Sequence, residues 1–205
     1  MPALEALQSE FAAAGIQTFG ISVDSMYSHA NWAASLEGVS FPLLQDFQPK
    51  GSVAQSYGVY LADAGIADRA TVIIDADGVV QHASSVTPAG KRDVDELLRL
   101  SRQVLSRYAG KLTAPPKGEG IAGEPVLYVR TGCGFSLRAL NARVNLHLED
   151  KVRVENISES RTAEVALEKL TNDDQVPCLV VNGKPMLESE EIVKYLVLRT
   201  TGRWD

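Results

Sequence analysis

The apolar residues of this chain recur with two different periods. Val126-Leu127-Tyr128-Val129 is a short continuous run with the length of a buried strand. Leu137, Leu140, Val144 and Leu148 then fall at helical spacing and predict a helix over Phe135 to Leu148. Val152 to Ile157 alternates as a half-buried strand, and Thr162 to Leu170 is helical again. Cys178 to Val181 is a further strand, Asn182-Gly183 a hairpin-turn signal, and Pro185 to Leu187 a short return strand. Ser189 can cap a last helix running to about Leu198.

The upstream half is mixed in the same way. Pro2 to Ala14 predicts a helix, with Pro2 suited to its first turn. Thr18 to Val23 is a strand, Tyr27 to Leu36 a helix carrying Trp32, and Pro49 to Tyr57 a short helix. Ala70 to Ile74 and Val79 to His82 form a hairpin around Asp75-Ala76-Asp77-Gly78. Lys91 to Arg107 is a long amphipathic helix with Val94, Leu97, Leu98, Leu100 and Val104 as its apolar positions. Tyr108 to Glu124 has no hydrophobic period and holds Pro115-Pro116, Gly118, Gly120 and Gly123, the composition of a linker. The expected organisation is an α/β domain over residues 1–108, a linker over 109–124 and a second α/β domain over 125–205. The second domain's order, β-α-β-α-β-β-α, is that of the thioredoxin fold.

Composition narrows the functional classes. At 45% hydrophobic and 22% charged residues, the chain has the make-up of an ordinary globular protein. A net charge of −6 and a pI near 5.2 argue against a nucleic-acid or anionic-membrane surface. The acidity sits mostly in the first half, with 7 basic and 12 acidic residues before Lys111 against 13 and 14 from there on. No run reaches transmembrane length, and no basic-then-apolar leader opens the sequence. Cys133 and Cys178 are its only cysteines, so a disulfide framework is excluded and the cytoplasm is the default expectation. His29, His82 and His147 lie far apart, no zinc spacing occurs, and no metal is expected.

Candidate chemistry concentrates at Cys133-Gly134-Phe135-Ser136, where the first strand of the second half meets its first helix. A cysteine there faces free backbone N–H groups and the positive end of the helix dipole, which favour thiolate over thiol. The plainer alternative is a small core residue. Arg130 supplies a nearby cation. Cys178, directly after Pro177 at the head of an apolar strand, fits a buried structural residue better than a resolving thiol, with a disulfide to Cys133 as the alternative.

The second half resembles the glutaredoxins from Pro125 onward. Tyr128-Val129-Arg130-Thr131-Gly132-Cys133 is similar to their strand leading into the active cysteine, Cys133-Gly134-Phe135-Ser136 to the monothiol motif, and Val176-Pro177 to the cis-proline loop. Leu187-Glu188-Ser189 departs from that pattern and resembles instead the N-terminal domain of glutathione transferases. Both resemblances imply glutathione as co-substrate. Cys133 would be the nucleophile, and Arg130, the Val176 backbone beside Pro177, and the Glu188-Ser189 turn would orient the tripeptide. For Ser189 a plain helix cap is the alternative. The lysine and Trp-Pro loop of cluster-binding monothiol glutaredoxins are absent, which weakens a [2Fe–2S] assignment.

The first half resembles the peroxiredoxins of the alkyl hydroperoxide reductase and thiol-specific antioxidant type. Gly20-Ile21-Ser22-Val23-Asp24-Ser25, Phe41-Pro42-Leu43-Leu44-Gln45-Asp46, Ser56-Tyr57-Gly58-Val59 and Gly65-Ile66-Ala67-Asp68-Arg69-Ala70 carry the likeness. Arg69 would be the arginine that steadies the peroxidatic thiolate, or else a surface arginine before a strand. Residues 1–110 hold no cysteine, so the element bearing that sulfur is missing. Either the sequence is a fragment or mis-started reading of a longer fusion, or it is a natural pseudo-peroxiredoxin. The fragment is favoured, because losing central strands leaves unpaired sheet edges. The expectation is therefore two tandem thioredoxin-like α/β domains, the first incomplete. The second would be a glutathione-dependent oxidoreductase acting on glutathionylated or oxidised thiols, the reductant half of a hybrid peroxidase. A homodimer stays open, and the rival class is a non-enzymatic glutathione-binding or [2Fe–2S]-carrying module.

Overall fold

The structure is a computed structural model and describes residues 1–204. The chain runs through α1 (Pro2–Ala6), α2 (Gln8–Ala13), β1 (Gly20–Ser22), α3 (Met26–Ser35), β2 (Leu43–Gln45), α4 (Ser52–Ser56), β3 (Tyr60–Leu61), β4 (Ile66–Ala67), β5 (Ala70–Ile74), β6 (Val80–Ser85) and α5 (Val94–Arg107). It continues through β7 (Val126–Val129), α6 (Gly134–Asn145), β8 (Arg153–Asn156), α7 (Arg161–Thr171), β9 (Cys178–Val181), β10 (Lys184–Met186) and α8 (Ser189–Thr201). Two compact units result: Met1–His29 with Phe41–Pro115, and Ala30–Ser40 with Pro116 onward.

The second unit is built on one four-stranded sheet in the order β10-β9-β7-β8. Strand β7 pairs parallel with β8 and antiparallel with β9. Because side chains alternate across a strand, β7 and β9 feed two cores. Leu127, Val129 and Leu179 pack with Ala139 of α6 and with Ile192 and Leu196 of α8. Tyr128, Cys178 and Val180 pack on the other face with Ala163 and Leu167 of α7. The turn from β9 to β10 places Asn182 at φ 51° and Gly183 at φ 75°, the two left-handed residues of a type I′ hairpin. Ser160 caps α7 by accepting the Ala163 N–H at 3.2 Å.

The first unit has no such continuous sheet. Its strands form three separate pairs: parallel β1–β2, antiparallel β3–β4 and antiparallel β5–β6. Asp46, 4% exposed, anchors the turn after β2 by accepting the N–H groups of Val53 and Ala54 at 3.0 and 2.9 Å. Burial pushes its carboxyl up, but the Ala54, Val53 and Ser52 donors outweigh this and hold it below the usual carboxylate range. Asp93 caps α5 by accepting the Glu96 N–H. Phe11, Phe41, Ala54 and Leu98 are its buried apolar residues, whereas Ile21 and its register partner Leu44 are 47% and 44% exposed. The expected incomplete thioredoxin-like domain is what is found.

Several expectations need correction. The predicted first helix is broken at Leu7, whose φ of −101° and ψ of 6° interrupt it into α1 and α2. Strands β2, β3 and β4 have two or three residues each, too short to show a period. The linker expected over residues 109–124 is free only in its first part. The Gly120 N–H donates to the Arg199 carbonyl at 2.8 Å, Arg199 pairs with Glu119, and Ile121 is buried in the α6–α8 core. Pro116 onward thus belongs to the second unit, as does Ala30–Ser40, which was expected to lie in the first.

The docked linker makes a direct prediction. Ile121→Ala should destabilise the second unit by about 2–5 kcal/mol, as other buried Ile or Leu truncations do. Leu112→Ala, exposed in the same segment, should change stability by less than about 0.5 kcal/mol. Urea unfolding followed by circular dichroism checks the pair, and equal effects would mean that Ile121 is not a core residue.

Candidate active site

The site is assembled at the C-terminal end of β7. Gly132, at φ 74°, lets the chain turn sharply out of the strand. Cys133 then occupies the N-cap position of α6 with extended backbone (φ −88°, ψ 118°), and its sulfur accepts the Ser136 N–H at 3.5 Å. A sulfur here takes the role usually given to a Ser or Asp oxygen. Ser136 is 1% exposed, and its hydroxyl accepts the Arg130 N–H at 3.2 Å. Its own proton is free to bond the sulfur.

These contacts set the thiol's acidity. The Cys133 pKa is lowered, first by the Ser136 hydroxyl, against the opposing effect of burial, and then by the Ser136 and Phe135 N–H groups. Arg130 contributes least. Its guanidinium is bonded to the Asp174 carboxylate at 2.5 Å. Arg130, expected as a nearby cation, thus has the smallest effect on the thiol, and the Ser136 hydroxyl the largest.

The other predicted residues gather on the β9 side. Val176-Pro177 is a cis peptide bond. The β7–β9 register pairs Tyr128 with Cys178, so one residue further Pro177 faces Val129 at the root of the cysteine loop. Glu188, not Ser189, is the N-cap residue of α8, with φ 66° and no side-chain cap bond. The expectation that Ser189 caps this helix is thus wrong. It is the first helical residue and is buried. The Glu188 carboxylate accepts the Gln175 side-chain N–H at 3.1 Å. Asp174 and Gln175 therefore bind the loop before Pro177 to Arg130 on one side and to Glu188 on the other. Sequence reasoning missed both, although their position directly before Val176-Pro177 was a signal.

Cys178 lies on the α7 face of the sheet, 0% exposed, and burial raises its pKa. It is packed as a core residue. Arg69 belongs to the first unit and is exposed just before β5. The nearby Arg92 donates to the Ala70 carbonyl at 2.8 Å, and its pKa is lowered by burial and by the charge of Arg69. No thiol accompanies this cation pair, since neither cysteine of the sequence lies in this unit. Among the described residues, no group of three or more His, Cys, Asp or Glu side chains is arranged to hold a metal ion, and no helix is long and apolar enough to cross a membrane.

Comparison with known proteins finds two family matches along the chain. Residues 1–83 match the AhpC/TSA family, and residues 127–204 match the glutathione S-transferase N-terminal domain. The chain thus joins a partial AhpC/TSA peroxiredoxin domain to a glutathione-transferase N-terminal-type domain, both thioredoxin-like. Alkyl hydroperoxide reductase E of Mycobacterium tuberculosis is 44% identical over 73 residues, 36% of this chain and 47% of that protein. Alkyl hydroperoxide reductase C of the same organism is 38% identical over 101 residues, 48% of this chain and 50% of that protein. The solved structure of Mycobacterium tuberculosis AhpC is 34% identical, with a TM-score of 0.46 over 51% of this chain and 64% of that one. The chain spans about half the length of the curated relatives it matches.

Two outcomes follow from the sulfur's environment. Ser136→Ala should move the midpoint of iodoacetamide alkylation against pH upward, toward the free value of about 8.5, and by more than Arg130→Ala does. A larger shift in Arg130→Ala would reverse this ranking. Because the folded-state pKa lies below the unfolded one, the thiolate's contribution to stability is complete above about pH 8.5 and is lost as pH falls through the folded value. The stability gap between the wild type and Cys133→Ala should therefore widen from pH 6 to pH 9. A gap that narrows would show that the sulfur does not cap α6 as a thiolate.

Proposed function

We propose that the second unit is a glutathione-dependent thiol–disulfide oxidoreductase with Cys133 as its nucleophile. The observation that carries the reading is the sulfur at the N-cap of α6, with a lowered pKa and a cis-proline loop on its flank. The Cys133 thiolate attacks the glutathionyl sulfur of a mixed disulfide, the old S–S bond breaks, and the other thiolate leaves and takes a proton from water. A second glutathione thiolate then attacks the Cys133–glutathione bond, releasing glutathione disulfide and restoring the thiolate. Ser136 replaces the second cysteine of dithiol relatives, so the second reductant comes from solution. The Val176 backbone, the open first turn of α8 at Ser189, Glu188 and Arg130 orient the tripeptide, an anion at a helix N-terminus being favourable.

The match of residues 1–83 to the AhpC/TSA family supports a wider assignment. In it, a complete peroxiredoxin domain reduces peroxide and is recycled by glutathione through the attached domain, which a tether keeps at high local concentration. Arg69 would then face the peroxidatic thiolate.

Mass spectrometry after incubation with glutathione disulfide tests the proposal. Cys133 should gain a glutathionyl group, Cys133→Ser should lose transfer altogether, and Glu188→Gln should raise the KM for glutathione with the thiol's alkylation rate intact. Absence of any adduct on Cys133 would overturn it. The chain as given should also consume hydrogen peroxide slowly in stopped flow. Fast consumption surviving Cys133→Ser and Cys178→Ser together would refute the assignment of the first unit.

A further inference from the structure

We infer that Asp174 is a positioning residue: it aims Arg130 at the glycyl carboxylate of glutathione, and so lets the site tell glutathione from thiols that lack that group. The inference rests on the glutathione reading above and deepens it at the same site. The Asp174 carboxylate accepts the Arg130 Nη2–H at 2.5 Å. Arg130 directly follows Val129, the residue that Pro177 faces. Asp174 stands two residues before Val176, whose backbone is proposed to pair with the cysteinyl unit. In glutathione the terminal carboxylate belongs to the very next residue, and consecutive Cα atoms are about 3.8 Å apart. A cation that recognises it must be held close to the cysteinyl anchor, and Asp174 ties Arg130 to that loop.

Asp174 is itself firmly placed. Helix α7 ends at Thr171, and Asn172 turns the chain in the left-handed region at φ 58°. The Thr171 side-chain oxygen then accepts the Asp173 N–H at 3.2 Å, and Asp173 Oδ1 accepts the Asp174 N–H at 2.7 Å. Arg130, first by its hydrogen bond and then by its charge, holds the Asp174 carboxyl below the usual carboxylate range. A guanidinium carries five N–H donors, so the bond made by Nη2 leaves others for a ligand carboxylate. Charge decides which end of the tripeptide Arg130 takes. The γ-glutamyl end carries an ammonium and a carboxylate, whereas the glycyl end carries a carboxylate alone. Glu188, an anion, suits the end with a cation, and Arg130 suits the end without one. A role in holding the fold accounts poorly for the pair. Its side chains are 43% and 48% exposed, where an ion pair adds little to stability.

The test uses the full chain and two glutathionyl donors, glutathione disulfide and the disulfide of glutathione glycyl ethyl ester. In each, the Cys133 thiolate attacks one sulfur, the S–S bond breaks, and the other thiolate leaves and is protonated by water. Mass spectrometry reads the rate of adduct formation on Cys133. The rate ratio of free acid to ester, divided by the same ratio in the urea-unfolded chain, cancels the intrinsic reactivity of the two donors. It should be about tenfold or more in the wild type, the scale of a charge-assisted hydrogen bond. Arg130→Ala should bring it near one. Asp174→Ala should lower it at least threefold, with no further effect in the Arg130→Ala background. A ratio near one in the wild type overturns the inference while the adduct itself upholds the glutathione reading. An unchanged ratio in Asp174→Ala, or equal slowing with both donors, also overturns it, since a merely structural residue would act on both alike. No adduct from either donor in the wild type sinks the glutathione reading and this inference with it.

Discussion

Strand β7 is hydrogen-bonded along both edges, to β8 and to β9, and its side chains are divided between two cores. That double pairing fixes where the strand ends, and so where the chain must turn through Gly132 into α6. It also fixes the register that brings Pro177 opposite Val129. The positions of the sulfur and of the cis-proline loop are two consequences of one buried strand. A slip of a single residue would exchange its two faces and move both.

The first unit has no strand paired along both edges. Its three strand pairs are not bonded into one sheet, and the facing apolar residues Ile21 and Leu44 stay nearly half exposed. Local devices hold it together instead: the buried Asp46 carboxylate under α4, the Asp93 cap of α5, and the β5–β6 hairpin. Burial and the like charge of Arg69 both lower the Arg92 pKa there.

Much of the second unit was legible in the sequence because its signals are local. Strands β7 and β9 have the expected bounds, since each is an uninterrupted apolar run flanked by turn or loop residues. Asn182-Gly183 announced its hairpin, and the position of Cys133 before a helix announced its sulfur. The missed features are long-range. No period along the chain says that Arg130 will bond to Asp174, 44 residues away. Nor does it say that Ile121 will be captured by α6 and α8 out of a segment with linker composition. Strands of two or three residues, such as β3 and β4, carry no readable alternation at all.

The capping sulfur has a consequence for the direction of redox chemistry. Any disulfide formed at Cys133 gives up the negative charge that Ser136 and the first turn of α6 are arranged to hold. The folded chain therefore favours the reduced state over the oxidised one, which shifts this centre's potential toward that of an oxidant. The same stabilised thiolate is a good leaving group, so a partner bound to it is surrendered as readily as it is taken. Under the proposed function, a sulfur poised in this way would relay groups between thiols and not store them.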